Sequence, residues 1–135
     1  MSRPRVLLAD DNSLVADQIR QVLEESFDVV GVVASGEELE RAFESLAPEV
    51  VVTDLVMPGE GGLMAVRRIR KRHPDTRVVL LSVIDAPPMI QVTQAEGIHG
   101  YVVKEDAAEE LVPAVEAALI GRRYVSTAGR RGFSH

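Results

Sequence analysis

Five short apolar runs, rich in valine and spaced by segments of helical length, constrain this chain more than any other feature. They are Val6-Leu7-Leu8-Ala9, Val29-Val30-Gly31-Val32-Val33-Ala34, Val50-Val51-Val52-Thr53, Val78-Val79-Leu80-Leu81-Ser82-Val83 and Gly100-Tyr101-Val102-Val103. A strand with one face in water alternates apolar and polar residues, whereas a strand covered by helices on both faces does not. None of these runs alternates, so each reads as a strand of a parallel sheet buried on both sides. The fold class is α/β.

The segments between the runs carry helical periodicity. Leu14, Ile19, Val22 and Leu23 mark the first helix, and Leu39, Ala42, Phe43 and Leu46 the second. Leu63, Val66 and Ile69 mark the third, residues 89–95 a short fourth, and Leu111, Val115, Ala118 and Leu119 the fifth. Ser35 with Glu38 and Asp106 with Glu109 have capping-box spacing, and Gly97 and Gly121 are placed to stop helices. Pro87-Pro88 is expected to delay the fourth helix to about Pro88, and Pro113 to kink the fifth. Five βα units in sequence give an open, doubly wound, three-layer (βα)5 fold, flavodoxin-like, with strand order 2-1-3-4-5.

The whole chain has 135 residues, the size of one domain, and its 46% hydrophobic and 27% charged residues suit a folded core with a soluble surface. With no cysteine there is no disulfide framework and no thiolate metal cluster, which fits a cytoplasmic protein. The apolar run near the amino terminus is too short for a signal peptide or a membrane span, so no membrane contact is expected. The formal net charge of −6 is uneven: residues 1–120 hold eleven Arg/Lys and all twenty-one Asp/Glu, while the last fifteen residues add four arginines and no acid. An acidic body argues against direct nucleic-acid binding by this domain. The expected division is a domain over 1–121 and a linker or tail over 122–135.

In an open α/β sheet, ligands bind beyond the carboxyl ends of the strands. The residues found there are Asp10-Asp11, Asp54, Ser82 and Lys104, after runs one, three, four and five. Each taken singly is commonplace, because a carboxylate after a strand is usually a cap or a turn residue. Jointly they converge on one crevice. Carboxylates about 4 Å apart repel by on the order of 4 kcal/mol per pair at an effective dielectric of ~20, which calls for a cation. Oxygen donors without Cys or His select a hard ion, and Mg²⁺ suits a site with few protein ligands. A lysine, a hydroxyl and a hard cation around one carboxylate are the parts that stabilise a transferring phosphoryl group.

Leu7-Leu8-Ala9-Asp10-Asp11-Asn12, Val51-Val52-Thr53-Asp54-Leu55-Val56-Met57-Pro58-Gly59, Val79-Leu80-Leu81-Ser82 and Gly100-Tyr101-Val102-Val103-Lys104 resemble the four signature blocks of the receiver domain of two-component response regulators. The resemblance implies the CheY-like form of the fold, and a signalling role as phosphoacceptor rather than as an enzyme. It implies that Asp54 accepts a phosphoryl group from a histidine of a sensor kinase. Asp11 and Asp54 would bind Mg²⁺ directly, Asp10 through water, and the backbone carbonyl of Val56 would complete the protein ligands. Lys104 would pair with Asp54 and then with phosphoryl oxygens, while Ser82 and Tyr101 would form the switch. Residues 97–104 and 121–126 resemble NarL/FixJ-type regulators, whose chains continue into a LuxR-type helix-turn-helix domain. That implies transcription control through DNA bound elsewhere, and a possible homodimer; a stand-alone receiver acting by protein contact is the alternative.

Departures from the family pattern carry expectations of their own. Gly61-Gly62 is expected to loosen the loop after Pro58, Glu105 replaces a common proline, and Val83 narrows access to the acceptor. Val56 and Ile84, two residues beyond Asp54 and Ser82, are apolar and cannot orient an attacking water, so loss of the phosphoryl group should be slow. Arg67, Arg68, Arg70, Lys71 and Arg72 read as a solvated face at a helix C-terminus. A Mg²⁺-dependent aspartyl phosphatase of the haloacid-dehalogenase type would carry a second aspartate where this chain has Val56. A flavodoxin would need a hydroxyl-rich phosphate loop where it has Asp10-Asp11.

Overall fold

The computed structural model describes residues 3–83 and 87–126. Strands β1 (Arg5–Ala9), β2 (Asp28–Val33), β3 (Val50–Asp54), β4 (Arg77–Ser82) and β5 (Gly100–Val103) alternate with helices α1 (Ser13–Glu24), α2 (Gly36–Leu46), α3 (Gly61–Arg72), α4 (Pro87–Ala95) and α5 (Ala107–Leu119). A short strand β6 (Tyr124–Val125) follows, and the all-parallel sheet runs β2-β1-β3-β4-β5-β6. Alternate residues of each strand serve opposite faces. Leu7, Val51, Val78 and Leu80 pack under α2, α3 and α4 with Leu39, Phe43, Val66, Ile69 and Ile90. Their neighbours Val6, Val50, Val52, Val79 and Leu81 pack under α1 and α5 with Ile19, Leu23, Leu111 and Val115. Burial on both faces is why the central strands show no polar alternation. The edge strand β2 is only partly covered.

Two local expectations need correction. Pro87 lies inside α4 as its first residue; N–H groups of a first helical turn have no intrahelical partner, so proline loses nothing there. Asp106 makes no side-chain cap to α5, because Lys104–Asp106 form a 3-10 turn that feeds the helix directly. Ser35, by contrast, does cap α2, its hydroxyl accepting from the N–H of Glu38. Gly97 and Gly121 stop α4 and α5 at φ +79° and +75°, and α5 runs continuously past Pro113. The sixth strand lay outside the apolar-run reading: Tyr124 N–H donates to the His99 carbonyl, Ser126 N–H donates to the Tyr101 carbonyl, and the Ser126 hydroxyl accepts from Val103 N–H at 3.1 Å.

His99, between β4 and β5, yields a test of stability. Its Nδ1 faces the N–H of Val78 at 3.4 Å. Burial, then the charges of Arg70 on α3, Arg77 on β4 and Arg123 before β6, hold its pKa below the ordinary 6.5. The folded chain therefore binds this proton less readily than the unfolded chain. Its contribution is complete above about pH 6.5 and is lost as pH falls through the depressed folded value. Urea midpoints should fall between about pH 7.5 and 5.5 in the wild type, and fall less in His99→Gln; equal falls in the two proteins would refute the assignment.

Candidate functional site

The four predicted strand ends meet at one crest of the sheet. Asp10 follows β1, Asp54 closes β3, Ser82 closes β4 and Lys104 follows β5. The Lys104 ammonium donates to Asp54 Oδ2 at 2.8 Å and to Asp10 Oδ2 at 2.9 Å. Asp10 is fully enclosed, and its second oxygen accepts from the N–H of Asn12 at 2.9 Å. Asn12 itself caps α1 through Val15 N–H, so one short loop fixes both the helix start and the carboxylate. Asp11 is exposed, and carboxylate oxygens of Asp10, Asp11 and Asp54 lie within 4.8 Å of one another.

Burial raises the Asp54 pKa above the usual carboxylate value; the Lys104 ammonium opposes this, the Asp10 charge adds to it and the Val56 N–H opposes it. At Lys104 burial favours the neutral amine, but the bonds to Asp54 and Asp10 outweigh it and hold the pKa above its ordinary value. One ammonium cannot neutralise three carboxylates this close. The donor set, oxygen only and with two negative charges left over after Lys104, fits a hard divalent cation. Leu14 in the first turn of α1 and Val56 and Val83 on the loops after β3 and β4, each about 70% exposed or more, are exposed apolar side chains that follow the strand ends in sequence. Val83 at 76% exposed therefore stands on the surface.

Ser82 is buried, and Tyr101 is 1% exposed within the core under α2 to α4. The ring expected to form the switch with Ser82 is thus fully enclosed. Ile84 lies outside the described residues. Two site residues escaped the sequence reading. The Thr53 hydroxyl donates to the Asp54 carbonyl at 3.0 Å, and Gly62 lies so close that a Cβ there would sit 2.0 Å from that carbonyl oxygen. Gly62 is therefore the point at which α3 comes against the Asp54 backbone, where a loose loop was expected. Nothing in the sequence marks Thr53, which reads as one more β-branched strand residue.

A doubly wound sheet that gathers acids, a lysine and a hydroxyl at its crest defines a class of α/β domains built to handle a charged group beyond the strand ends. The profile of the response regulator receiver domain matches residues 6–116, and the chain belongs to this family of two-component signalling domains. The response regulator GacA of Pseudomonas viridiflava is 38% identical over 124 residues, covering 90% of this chain and 58% of GacA. The chain thus spans a little over half the length of such relatives. A LuxR-family two-component response regulator from Aurantimonas sp. SI85-9A1 superposes with a TM-score of 0.92 at 32% identity, covering 98% of this chain and 96% of that one. The isolated receiver domain of RcsB from Salmonella enterica serovar Typhimurium, solved with the phosphomimetic BeF3−, gives 0.87 at 27% identity, covering 96% and 98%. Among the described residues no helix is long and apolar enough to cross a membrane.

Proposed function

We propose that Asp54 is the phosphoacceptor and that its donor is a phosphohistidine of a sensor kinase. The observation that carries this reading is the contact of Asp54 with Lys104 at 2.8 Å beside two further carboxylates. An Asp54 carboxylate oxygen attacks phosphorus, the bond from phosphorus to the histidine nitrogen breaks, and that nitrogen keeps the electron pair and takes a proton from water. Asp11, Asp54 and the Val56 carbonyl would hold Mg²⁺, with Asp10 acting through water; the ion supplies positive charge to the phosphoryl oxygens. Asp10 suits an indirect role because Lys104 and Asn12 already occupy its oxygens. Lys104 neutralises charge as it develops, and Ser82 supplies a hydroxyl to a phosphoryl oxygen. Leu14, Val56 and Val83, exposed apolar side chains that follow the strand ends in sequence, offer the kinase apolar surface that contact would desolvate.

Phosphorylation then biases the surface carried by α4, β5 and α5 through Ser82 and Tyr101. Because the Tyr101 ring is already enclosed, the switch repacks a buried side chain. The output is transcription control by a DNA-binding domain outside the receiver, with homodimerisation as the intermediate step. Acetyl phosphate with Mg²⁺ should give a single phosphoryl adduct in the intact mass spectrum, mapped to the peptide holding Asp54. It should decay over many minutes, as the apolar Val56 implies; an adduct mapped to another residue would overturn the assignment.

A further inference from the structure

The basic run at the end of α3 splits into two faces. Arg68 bonds Glu40 at 2.9 Å and pairs with Glu60, and Arg72 bonds Glu44 at 3.1 Å, so these cations meet acids of α2 and of the loop before α3. Arg67, Arg70 and Lys71, spaced i, i+3, i+4, share the other side. With Val66, Pro74, Glu96 and Ile98 they line a cavity of about 340 Å³. It lies at the end of the sheet opposite Asp54, where α3 runs out and β4 and β5 begin.

The charges in this cavity do not balance. Both oxygens of Glu96 are taken by Arg67, at 2.8 and 2.5 Å. Among the described residues no carboxylate lies within 4 Å of Arg70 or Lys71. Arg70 is nevertheless held in place: its Nη1 donates to the Glu96 carbonyl at 2.7 Å and its Nη2 to the Pro74 carbonyl at 3.4 Å. Its Nε, cut off from solvent, has no acceptor. Gly97 lies against the guanidinium, a Cβ there being in ordinary contact with Nη2 at 3.4 Å. The depressed pKa of nearby His99, due in part to Arg70, reflects the same positive field. A pre-positioned arginine beside an exposed lysine, in a chain of net charge −6, is a cationic site without its anion.

We propose that this cavity binds a phosphomonoester with an apolar body. Two unneutralised cations match a group carrying about −1.5 to −2 charge at pH 7, better than a single carboxylate. Val66 and Ile98, each 1% exposed, give the apolar part a floor. The volume falls within the range of small-molecule sites. The site is independent of the phosphoacceptor reading.

The test is a titration of the ¹⁵N-labelled chain in EDTA, following amide shifts of Arg70, Gly97 and Ile98, with phenyl phosphate, inorganic phosphate and benzoate as probes. Phenyl phosphate should give saturable shifts at these amides, inorganic phosphate weaker ones, and benzoate the weakest. Lys71→Gln, on an exposed side chain, should weaken phenyl phosphate binding about threefold, while Arg72→Gln on the opposite face should leave it unchanged. Benzoate matching phenyl phosphate, shifts confined to the surroundings of Lys104, or equal losses in the two variants would each overturn the proposal.

Discussion

Asp54→Asn is expected to lose the acetyl phosphate adduct entirely and, in the absence of divalent cations, to be more stable than the wild type. The first half follows from chemistry, because an amide has no anionic oxygen to attack phosphorus. The second follows from electrostatics. Burial and the Asp10 charge raise the Asp54 pKa in the folded state. A carboxyl raised on folding releases its proton less readily than in the unfolded chain, so its ionisation costs stability as pH rises through the folded value. At neutral pH that cost is present in the wild type and absent in the amide. Lys104 keeps a carboxylate partner in Asp10 at 2.9 Å, so the substitution leaves no buried ammonium unpaired. Mg²⁺ at ten times its dissociation constant should stabilise the wild type by about 1.4 kcal/mol and the variant far less. Urea titrations in EDTA and in Mg²⁺, run beside intact-mass phosphorylation, separate the effects. A variant that retains the adduct, or that unfolds at lower urea in EDTA, would sink the account.

How much of this was legible in the sequence depends on the range of the interaction involved. The four inner strands were readable because burial on both faces forces long apolar runs, β2 was readable from its run of valines although it is an edge strand only partly covered, and Asp10, Asp11, Asp54, Ser82 and Lys104 were readable because they lie at the ends of runs. Strand β6 was not. Two residues carry no periodicity, and what holds Tyr124–Val125 to β5 is backbone pairing with the Ser126 hydroxyl on Val103 N–H. The basic run of α3 could be seen, but its division between Arg68 and Arg72, which meet acids, and Arg70 and Lys71, which meet none among the described residues, depends on which helix packs on each side. Tyr101 could be picked out by resemblance as a switch residue, but its full enclosure could not, because it depends on β6 pairing beside β5 and on the core shared with Val125. Asp106 matched a capping box in spacing, and a 3-10 turn removed the geometry that the motif requires.

Gly62→Ala runs against helix propensity, which is what makes it informative. Alanine at a helical position is ordinarily favoured over glycine by about 1 kcal/mol, so a reading from propensity alone expects a gain. Here the new Cβ would lie 2.0 Å from the Asp54 carbonyl oxygen and 2.6 Å from Thr53 Oγ1. Neither neighbour can withdraw cheaply, since Thr53 is fully buried and Asp54 is paired within the sheet. The helix must move away from β3 or the Asp54 backbone must shift. We expect a loss of about 3 kcal/mol in stability and slower phosphorylation at fixed Mg²⁺. Gly61→Ala is the control, because its cost is conformational: φ is +79° and the nearest heavy atom to a Cβ is 3.3 Å away, so about 1–2 kcal/mol is expected. If urea midpoints rank Gly62→Ala at or above the wild type, α3 does not bear on Asp54 as described. If Gly61→Ala is the worse of the two, backbone conformation, and not contact with Asp54, is what the glycine pair protects.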